Sequence, residues 1–560
     1  MNALAWAHHL PVVPIVTPLL AGALALLLRD SRRALRVTLV LTSVLVQVVA
    51  AAVLLYLTTD AMPDMWAEGI GVYAIGGWPP PFGIVLAIDR LSAMMLLVTS
   101  LIGASALTYS LANWDRVGPG FHPMFQFLLM GLNGAFLTAD LFNLFVFFEV
   151  LLASSYGLLL HGSGPERVRS GLHYVAVNLA SSLLFLVGVA VIYGMTGTLN
   201  MADLPQRVAA LDVADRPLFE AGAALLGIAF LVKAGAWPLN FWLPTAYAAA
   251  SAPVAAIFAV LTKVGVYAVL RVGTLLASAA AETSFIDVGL FYGGMATVAF
   301  GVVGMLAGQQ LSRLIAYAVV MSSGLLLAAL GLQDQTLTAP LMFYLLSSVL
   351  GTGAFFMLNG LTERMRLTPM RTRGRPDLEP LPDETYRGFE TTEPPEPRSP
   401  DEENGVAFPA AMAFLGLGFV CCVLVVAGLP PLSGFVAKFA MIHEVVATAR
   451  GAPLSPQQWG LVLAVLVAGL AAVIGLSRVG LRLFWSVAGR TTPRLRVIEV
   501  GPVALLVLLS IALAAGAGPV MTYLESAAAS LHRPEVYIRV VQSMHAAAPA
   551  VEDAAEAPLP

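Results

Sequence analysis

Four ionisable side chains stand inside long apolar runs. Glu149 lies in LFNLFVFFEVLLASSYGLLL, Lys233 in AFLVKAGAWPLNFWLP, Lys263 in APVAAIFAVLTKVGVYAVL and Lys438 in GLPPLSGFVAKFAMI. An ionisable group at the middle of a bilayer costs about 2.5–3.5 kcal/mol on insertion scales, and by default it marks function. One acid and three amines together suggest proton transfer. Low-dielectric surroundings disfavour the charged form of either group, while an opposite charge ~4 Å away restores it by about 4 kcal/mol at an effective dielectric of ~20. A lysine facing a glutamate keeps its proton, and it releases that proton when the glutamate withdraws or another cation approaches. Arginine would stay charged under either perturbation. The chain holds 27 Arg and only three Lys, and all three Lys fall in apolar segments.

A buried Glu–Lys pair can serve only to hold two helices together. Four such groups on four segments, each near mid-depth, favour a relay. Two further residues are weaker candidates. His173, near the start of its helix, reads as an interfacial histidine, and Asp140, just before an apolar run, reads as a helix cap. Pro238 and the pair Pro430 and Pro431 interrupt two of the lysine-bearing segments, because proline lacks a backbone N–H and clashes with the preceding turn. Carbonyls freed in this way survive at membrane depth only where they line protein or water. Interrupted helices in two halves of a chain are a pointer to a transport path. Here each break lies within eight residues of a lysine.

The elements that position these groups are membrane spans. Of 560 residues, 58% are hydrophobic and 11% charged, against about 25% charged in soluble domains. A crossing helix needs about 20 apolar residues. About fourteen such segments are expected, at 10–28, 37–58, 84–108, 122–138, 141–161, 171–194, 218–241, 253–273, 286–308, 313–332, 338–361, 406–447, 458–485 and 499–523. The stretch 406–447 is too long for one straight helix, and GLPPLSG divides it. Alternation from the Arg-rich first loop, RDSRRALR, places 20 Arg on the cytoplasmic side and seven outside, and it puts both termini outside. Residues 363–405 form the long hydrophilic loop, acidic and proline-rich, whose composition builds no core. The tail 524–560 is expected to be disordered.

Several functions are excluded. Cys421 and Cys422 are adjacent in an apolar run and cannot hold an iron–sulfur cluster, which needs about four thiolates. No phosphate loop of the form GxxxxGK[ST] and no strand–GxGxxG–helix unit occurs. No cofactor is expected, and no metal site can be assigned. Nucleic acid is not an expected partner, since no basic stripe exists outside short loops. The first apolar run lacks a basic segment before it, so a cleaved signal peptide is not expected.

The stretches FFEVLLASSYGLLL, FLVKAGAWPLNFWLPTAYAAASAPVAAIFAVLTKVGVYAVLR and AGLPPLSGFVAKFAMI resemble the antiporter-like subunits shared by respiratory complex I, membrane-bound hydrogenases and Mrp-type multisubunit Na+/H+ antiporters. Within that group the similarity is greatest to the D-type Mrp subunits of Gram-negative bacteria, on the acidic loop leading into NGVAFPAAMAFLGLGFVCCVLVVAGLPPLSGFVAKFAM. The resemblance implies an all-α polytopic membrane protein of about 14 transmembrane helices, with two inverted five-helix repeats and broken helices 7 and 12. The expected divisions are an N-terminal three-helix segment (1–121), the first repeat (122–273), the second (274–485) and a last transmembrane helix (486–523). It implies a polar axis of Glu149 in helix 5, Lys233 in broken helix 7, Lys263 in helix 8 and Lys438 in broken helix 12. One departure stands out. Where relatives carry His and Lys in helix 11, this chain reads YLLSSVLGTG, with Ser347 and Thr352 at those places. IAYAVVMSSGLLL also lacks a histidine that some relatives have. Either water near Ser347, Ser348 and Thr352 is then expected to carry the proton onward to Lys438, or the axis passes to another subunit.

The expected function is that of a non-enzymatic component of an inner-membrane antiporter complex, in which proton influx drives Na+ out, with K+ or Li+ as other candidate ions. Na+ needs oxygen ligands, preferably with a carboxylate. The one mid-membrane carboxylate is expected to be engaged by lysine, so the cation is expected to pass largely through a partner subunit. The alternative is a proton-pumping membrane subunit of a complex I-like or hydrogenase redox enzyme.

Overall fold

A computed structural model describes residues 8–29, 32–59, 66–78, 83–277, 284–366, 410–449, 453–484 and 495–546. Among these, thirteen helices are long and apolar enough to cross a membrane. The N-terminal group is α1 (Val13–Leu27), α2 (Arg33–Leu57) and α3 (Arg90–Ser110). A first set follows: α4 (Phe121–Leu137), α5 (Leu141–Leu160), α6 (Pro165–Thr196), the interrupted pair α7 (Arg216–Ala234) and α8 (Trp242–Ala249), and α9 (Ala252–Ala277). A second set repeats the order: α10 (Ser284–Ala307), α11 (Leu311–Leu330), α12 (Thr338–Arg366), the interrupted pair α13 (Ala410–Ala427) and α14 (Ser433–Thr448), and α15 (Pro456–Phe484). The last three helices are α16 (Val497–Ala515), α17 (Ala517–Leu531) and α18 (Pro534–Ala546). Packing repeats as well: α4 lies on α5 as α10 lies on α11, and α6 lies on α7 as α12 lies on α13.

The two interruptions are built alike. Gly235 (φ 72°) ends α7 and Gly428 (φ 77°) follows α13. In each case a cis-proline peptide comes close behind, Trp237–Pro238 and Pro430–Pro431. The positive φ favours glycine, since a Cβ there meets the following carbonyl. The proline-broken spans expected from the sequence are thus present in both halves. α9 and α12, the least exposed of the spans, lie at the centre, where α9 touches α3, α7 and α11.

Three boundaries differ from the sequence reading. Residues 84–89 were expected to begin the third span. Instead Val85–Ile88 is a strand paired antiparallel with Gly71–Ala74, with Gly71 opposite Ile88. Asp89 then starts α3 through a capping box, its carboxylate accepting from Ser92 N at 3.0 Å and its N–H donating to Ser92 Oγ at 2.8 Å. The tail 524–560 was expected to be disordered, yet the chain is helical to Ala546. Its alanine-rich composition hides a helical period. Leu524, Ala527, Ala528 and Leu531 line one buried face, and Tyr537 and Val541 a second. The expected loop 363–405 is helical as far as Arg366, and its remainder lies outside the described residues.

The alternation of loops is consistent in space. On one face Arg33 meets Asp115 at 2.8 Å, Arg167 donates to Ala249 O at 3.0 Å, Arg478 to Gly308 O at 2.6 Å and Arg496 to Ala112 O at 3.2 Å. The opposite face carries the strand pair, α17 and α18, where Arg271 pairs with Asp89 at 2.6 Å and stacks on Tyr537 with 5.2 Å to the ring centre.

Candidate functional site

The three lysines are sealed inside the helical bundle, with exposures of 7% for Lys233, 2% for Lys263 and 6% for Lys438. Each amine is satisfied by neutral groups. Lys263 Nζ, on α9, donates to Ser322 Oγ at 2.9 Å and Ser323 Oγ at 3.1 Å, both on α11. Lys233 Nζ donates to Asn178 O, Asn178 Oδ1 and Ser182 Oγ on α6, all at 3.4 Å. Lys438 Nζ donates to Val426 O at 3.0 Å and Ala427 O at 2.9 Å, the carbonyls left free at the end of α13.

Glycines set these distances. A Cβ on Gly265 would collide with Ala234 N, so α9 reaches the end of α7, next to Lys233, only because position 265 has no side chain. A Cβ on Gly428 would collide with Lys438 Cδ. The helix break therefore makes room for the lysine stem as well as acceptors for its head.

Glu149 differs from the expectation. It was read as facing Lys233, but no ion pair within 4.0 Å forms between them, and Glu149 Oε1 is buried with no hydrogen-bond partner. The physical reason lies in the polar face of α6. Asn178 and Ser182 stand one turn apart and take the ammonium that the glutamate was expected to hold.

A small space lies beside the stretch of α12 where the sequence departs from the family pattern. A space of about 20 Å³, enough for roughly one water, is lined by Ser322, Tyr344, Ser347, Ser348, Thr352 and Lys438 among others. Ser322 is also a partner of Lys263. The cavity thus connects the partner of one lysine with the ammonium of the next. Ser347 and Thr352 both border it.

A second, open crevice of about 960 Å³ enters from the arginine-rich face. His173, Glu166, Arg169 and Glu363 stand among its walls, with Tyr247 and Phe356 at its inner side. His173 itself is exposed and bonds Arg169 O of its own helix, at 3.0 Å. The buried hydroxyl of Tyr247 has no hydrogen-bond partner and lies beside Thr262, the neighbour of Lys263. Asp140 caps α5, accepting from Asn143 N at 2.8 Å, as expected from its position.

Sequence reasoning missed Asn178, Ser182, Ser322 and Ser323. Each was visible as a polar residue in an apolar helix, and Ser322 and Ser323 lie in the very stretch noted for its missing histidine. It also missed the Asp89–Arg271 pair, whose members fall at span ends and look like ordinary loop charges.

Two broken helices, one of which returns its carbonyls to a buried amine, on a helical bundle with a string of such amines, define a membrane-embedded ion-translocating protein. Residues 138–375 match the family model described as "NADH:quinone oxidoreductase/Mrp antiporter, TM". The chain is 49% identical over 534 residues to the D-type subunit of a probable K(+)/H(+) antiporter of Rhizobium meliloti (strain 1021), covering 94% of this chain and 96% of the relative. It is 32% identical to the D-type subunit of the Na(+)/H(+) antiporter of Alkalihalophilus pseudofirmus, covering 95% and 99%. Its fold is similar to a component of the Mrp complex from Dietzia sp. DQ12-45-1b, with a TM-score of 0.76, 26% identity and coverage of 97% and 100%. The chain belongs to the family of D-type Mrp antiporter subunits, and it is a membrane component of a multisubunit cation/proton antiporter.

Proposed function

We propose that this chain conducts the protons of the exchange along Glu149, Lys233, Lys263 and Lys438, and that proton influx drives a monovalent cation out of the cell. The observation that carries this reading is the continuity from Lys263 through Ser322 to the cavity that holds Lys438. Protons exchange with the cytoplasm through the crevice, whose inner side reaches Tyr247 and, past Thr262, Lys263. Glu149 acts on Lys233 through its field, not through a bond. The two interrupted spans anchor repeats at 122–273 and 274–485. The arginine-rich face is cytoplasmic, which leaves both termini on the outer side of a bacterial inner membrane.

For the cation, the relative at 49% identity is named for K+ and the one at 32% for Na+. K+ is therefore proposed ahead of the Na+ first expected. It passes largely through a partner subunit, since Glu149 is the one mid-membrane carboxylate among the described residues. The redox alternative is not favoured, because these relatives are named as antiporter subunits.

The test uses everted vesicles containing the whole complex, with a pH-sensitive dye. Glu149→Ala or Lys233→Ala abolishes K+- or Na+-driven exchange while the assembled complex remains. Retained exchange in either variant defeats the relay. Exchange driven by Na+ alone defeats the choice of K+.

A further inference from the structure

Three buried serines form a string, of which only Ser347 borders the relay cavity. Ser347 Oγ on α12 lies 2.8 Å from Ser433 Oγ, the first residue of α14, and Ser433 Oγ lies 2.6 Å from Ser510 Oγ on α16. Their exposures are 1%, 0% and 1%. Serine and threonine inside apolar helices usually return their proton to a carbonyl of the preceding turn. Here Thr99, Ser100, Ser105, Ser348 and Thr352 all do so. Ser347, Ser433 and Ser510 instead bond one another across three helices.

Counting protons gives the string a direction. Three hydroxyls hold three protons, and two oxygen–oxygen contacts use two of them. Unless Ser433 accepts from both neighbours and turns its own proton aside, the third points out of one end, either from Ser347 towards the cavity or from Ser510 away from it. The string therefore has two polarities of the same geometry, which is the property a proton wire needs.

One end borders the cavity, and the other lies towards an outer groove that none of the three serines lines. Ser347 lines the cavity that holds Lys438. An open groove of about 690 Å³ on the outer face is lined by Pro340, Val436, Ala440 and Met521, with Glu444 and Glu525 also in its wall. Val436 is one turn beyond Ser433 on α14, and Ser510 is five residues from the end of α16 at Ala515, about 7.5 Å at 1.5 Å per residue.

We propose that Ser347, Ser433 and Ser510 are the outer leg of the proton path, linking the Lys438 cavity to the outer groove. This rests on the relay reading above. For an inward-moving proton, a water that penetrates from the groove to Ser510 gives a proton to its Oγ as the Ser510 O–H bond breaks towards Ser433. Ser433 passes its proton to Ser347, and Ser347 releases one to water in the cavity beside Lys438. One proton enters and one leaves, no electrons move, and the three hydroxyls turn round before the next passage.

The experiment uses the assembled complex in the same vesicles, with Lys438→Ala as the reference for a broken relay. Ser433→Ala and Ser510→Ala each lower exchange about tenfold or more, with the complement of subunits unchanged. Ser433→Thr, which restores the hydroxyl, recovers exchange, whereas Ser433→Cys, a weak hydrogen-bonding isostere, does not. Full exchange in Ser433→Ala or Ser510→Ala beside an inactive Lys438→Ala overturns the serine path and leaves the relay standing. Equal loss in Ser433→Ala and Ser433→Thr assigns the serine a packing role and also overturns it. Full exchange in Lys438→Ala overturns the relay itself, and the serine path with it.

Discussion

The Lys438 ammonium donates to the carbonyl of Ala427 at 2.9 Å, across the break in its own helix. With Val426 O at 3.0 Å, it has two neutral acceptors and, among the described residues, no carboxylate within 4.0 Å. Two carbonyls satisfy the two N–H groups of a neutral amine, and the third N–H of an ammonium is left for the cavity. Lys263 has the same latitude, because the hydroxyls of Ser322 and Ser323 accept from an ammonium and turn to donate to a neutral amine. A tight ion pair would fix one protonation state. Dipolar partners tolerate both, as a residue that loads and unloads a proton requires.

Gly428→Ala removes this arrangement at its root. The new Cβ collides with Lys438 Cδ, and the residue must keep a φ of 77°. The left-handed conformation alone costs roughly 1–2 kcal/mol for a residue with a side chain. Exchange is expected to be lost and the melting temperature of the purified complex to fall. Gly227→Ala, where a Cβ meets nothing within 4 Å, is expected to leave both unchanged. An active Gly428→Ala complex would show that the lysine does not depend on the break.

Glu149→Gln keeps the shape of the side chain and deletes its charge. No hydrogen bond of Oε1 is lost, because none exists. Beyond ~4 Å the attraction to Lys233 is below about 4 kcal/mol at an effective dielectric of ~20. The expected outcome is loss of exchange without loss of thermal stability, read by dye and by melting of the same preparation. Breaking one side of a tight buried pair typically costs about 3–5 kcal/mol. A destabilisation of that size would mean that Glu149 and Lys233 are bonded in the working protein.

Much of this arrangement was legible in the residues. Mid-membrane lysines, the prolines near them and the arginine alternation rest on strong physical penalties, and such penalties leave marks in composition and spacing. The partners of those lysines were not legible. Asn178, Ser182, Ser322 and Ser323 are residues that any apolar helix tolerates, and only the rotation of α6 and α11 in the bundle turns them towards an amine. The expected Glu149–Lys233 contact failed for the same reason, since the register of α5 against α7 is set by packing of rings such as Phe148 on Phe230, 6.3 Å between centroids. The helical tail was missed because alanine carries little contrast between buried and exposed faces.

Thr352→Val tests the wetness of the cavity without filling it. The Thr352 hydroxyl already donates to Ser348 O at 2.6 Å, so what faces the cavity is its remaining lone pair. Removing it leaves a water there with one partner fewer, and a buried water usually has about three. Exchange is expected to slow about tenfold, the effect of roughly 1.4 kcal/mol. Adding Ser347→Leu fills the space and stops exchange altogether. Unchanged transport in the double variant would show that protons reach Lys438 by another way.

Asp115 gives a dependence on pH that is separate from transport. It joins the loop before α4 to α2 and α4, receiving Arg33 Nε at 2.9 Å and standing 3.4 Å from His122 Nε2. Burial alone would raise its carboxyl, but the close His122 ring and the Arg33 guanidinium, which donates to it, outweigh that and hold it below the ordinary value of 3.8. A carboxyl depressed on folding contributes stability that is fully present above its ordinary value and is lost as the pH falls through the lower, folded value. The melting temperature of the purified complex should therefore fall as the pH drops below about 4. Asp115→Asn should lose about 1.5–3 kcal/mol at neutral pH, the worth of hydrogen bonds to a charged group, and it should show a shallower acid limb. An acid limb as steep in Asp115→Asn as in the natural sequence would assign that sensitivity to other carboxylates.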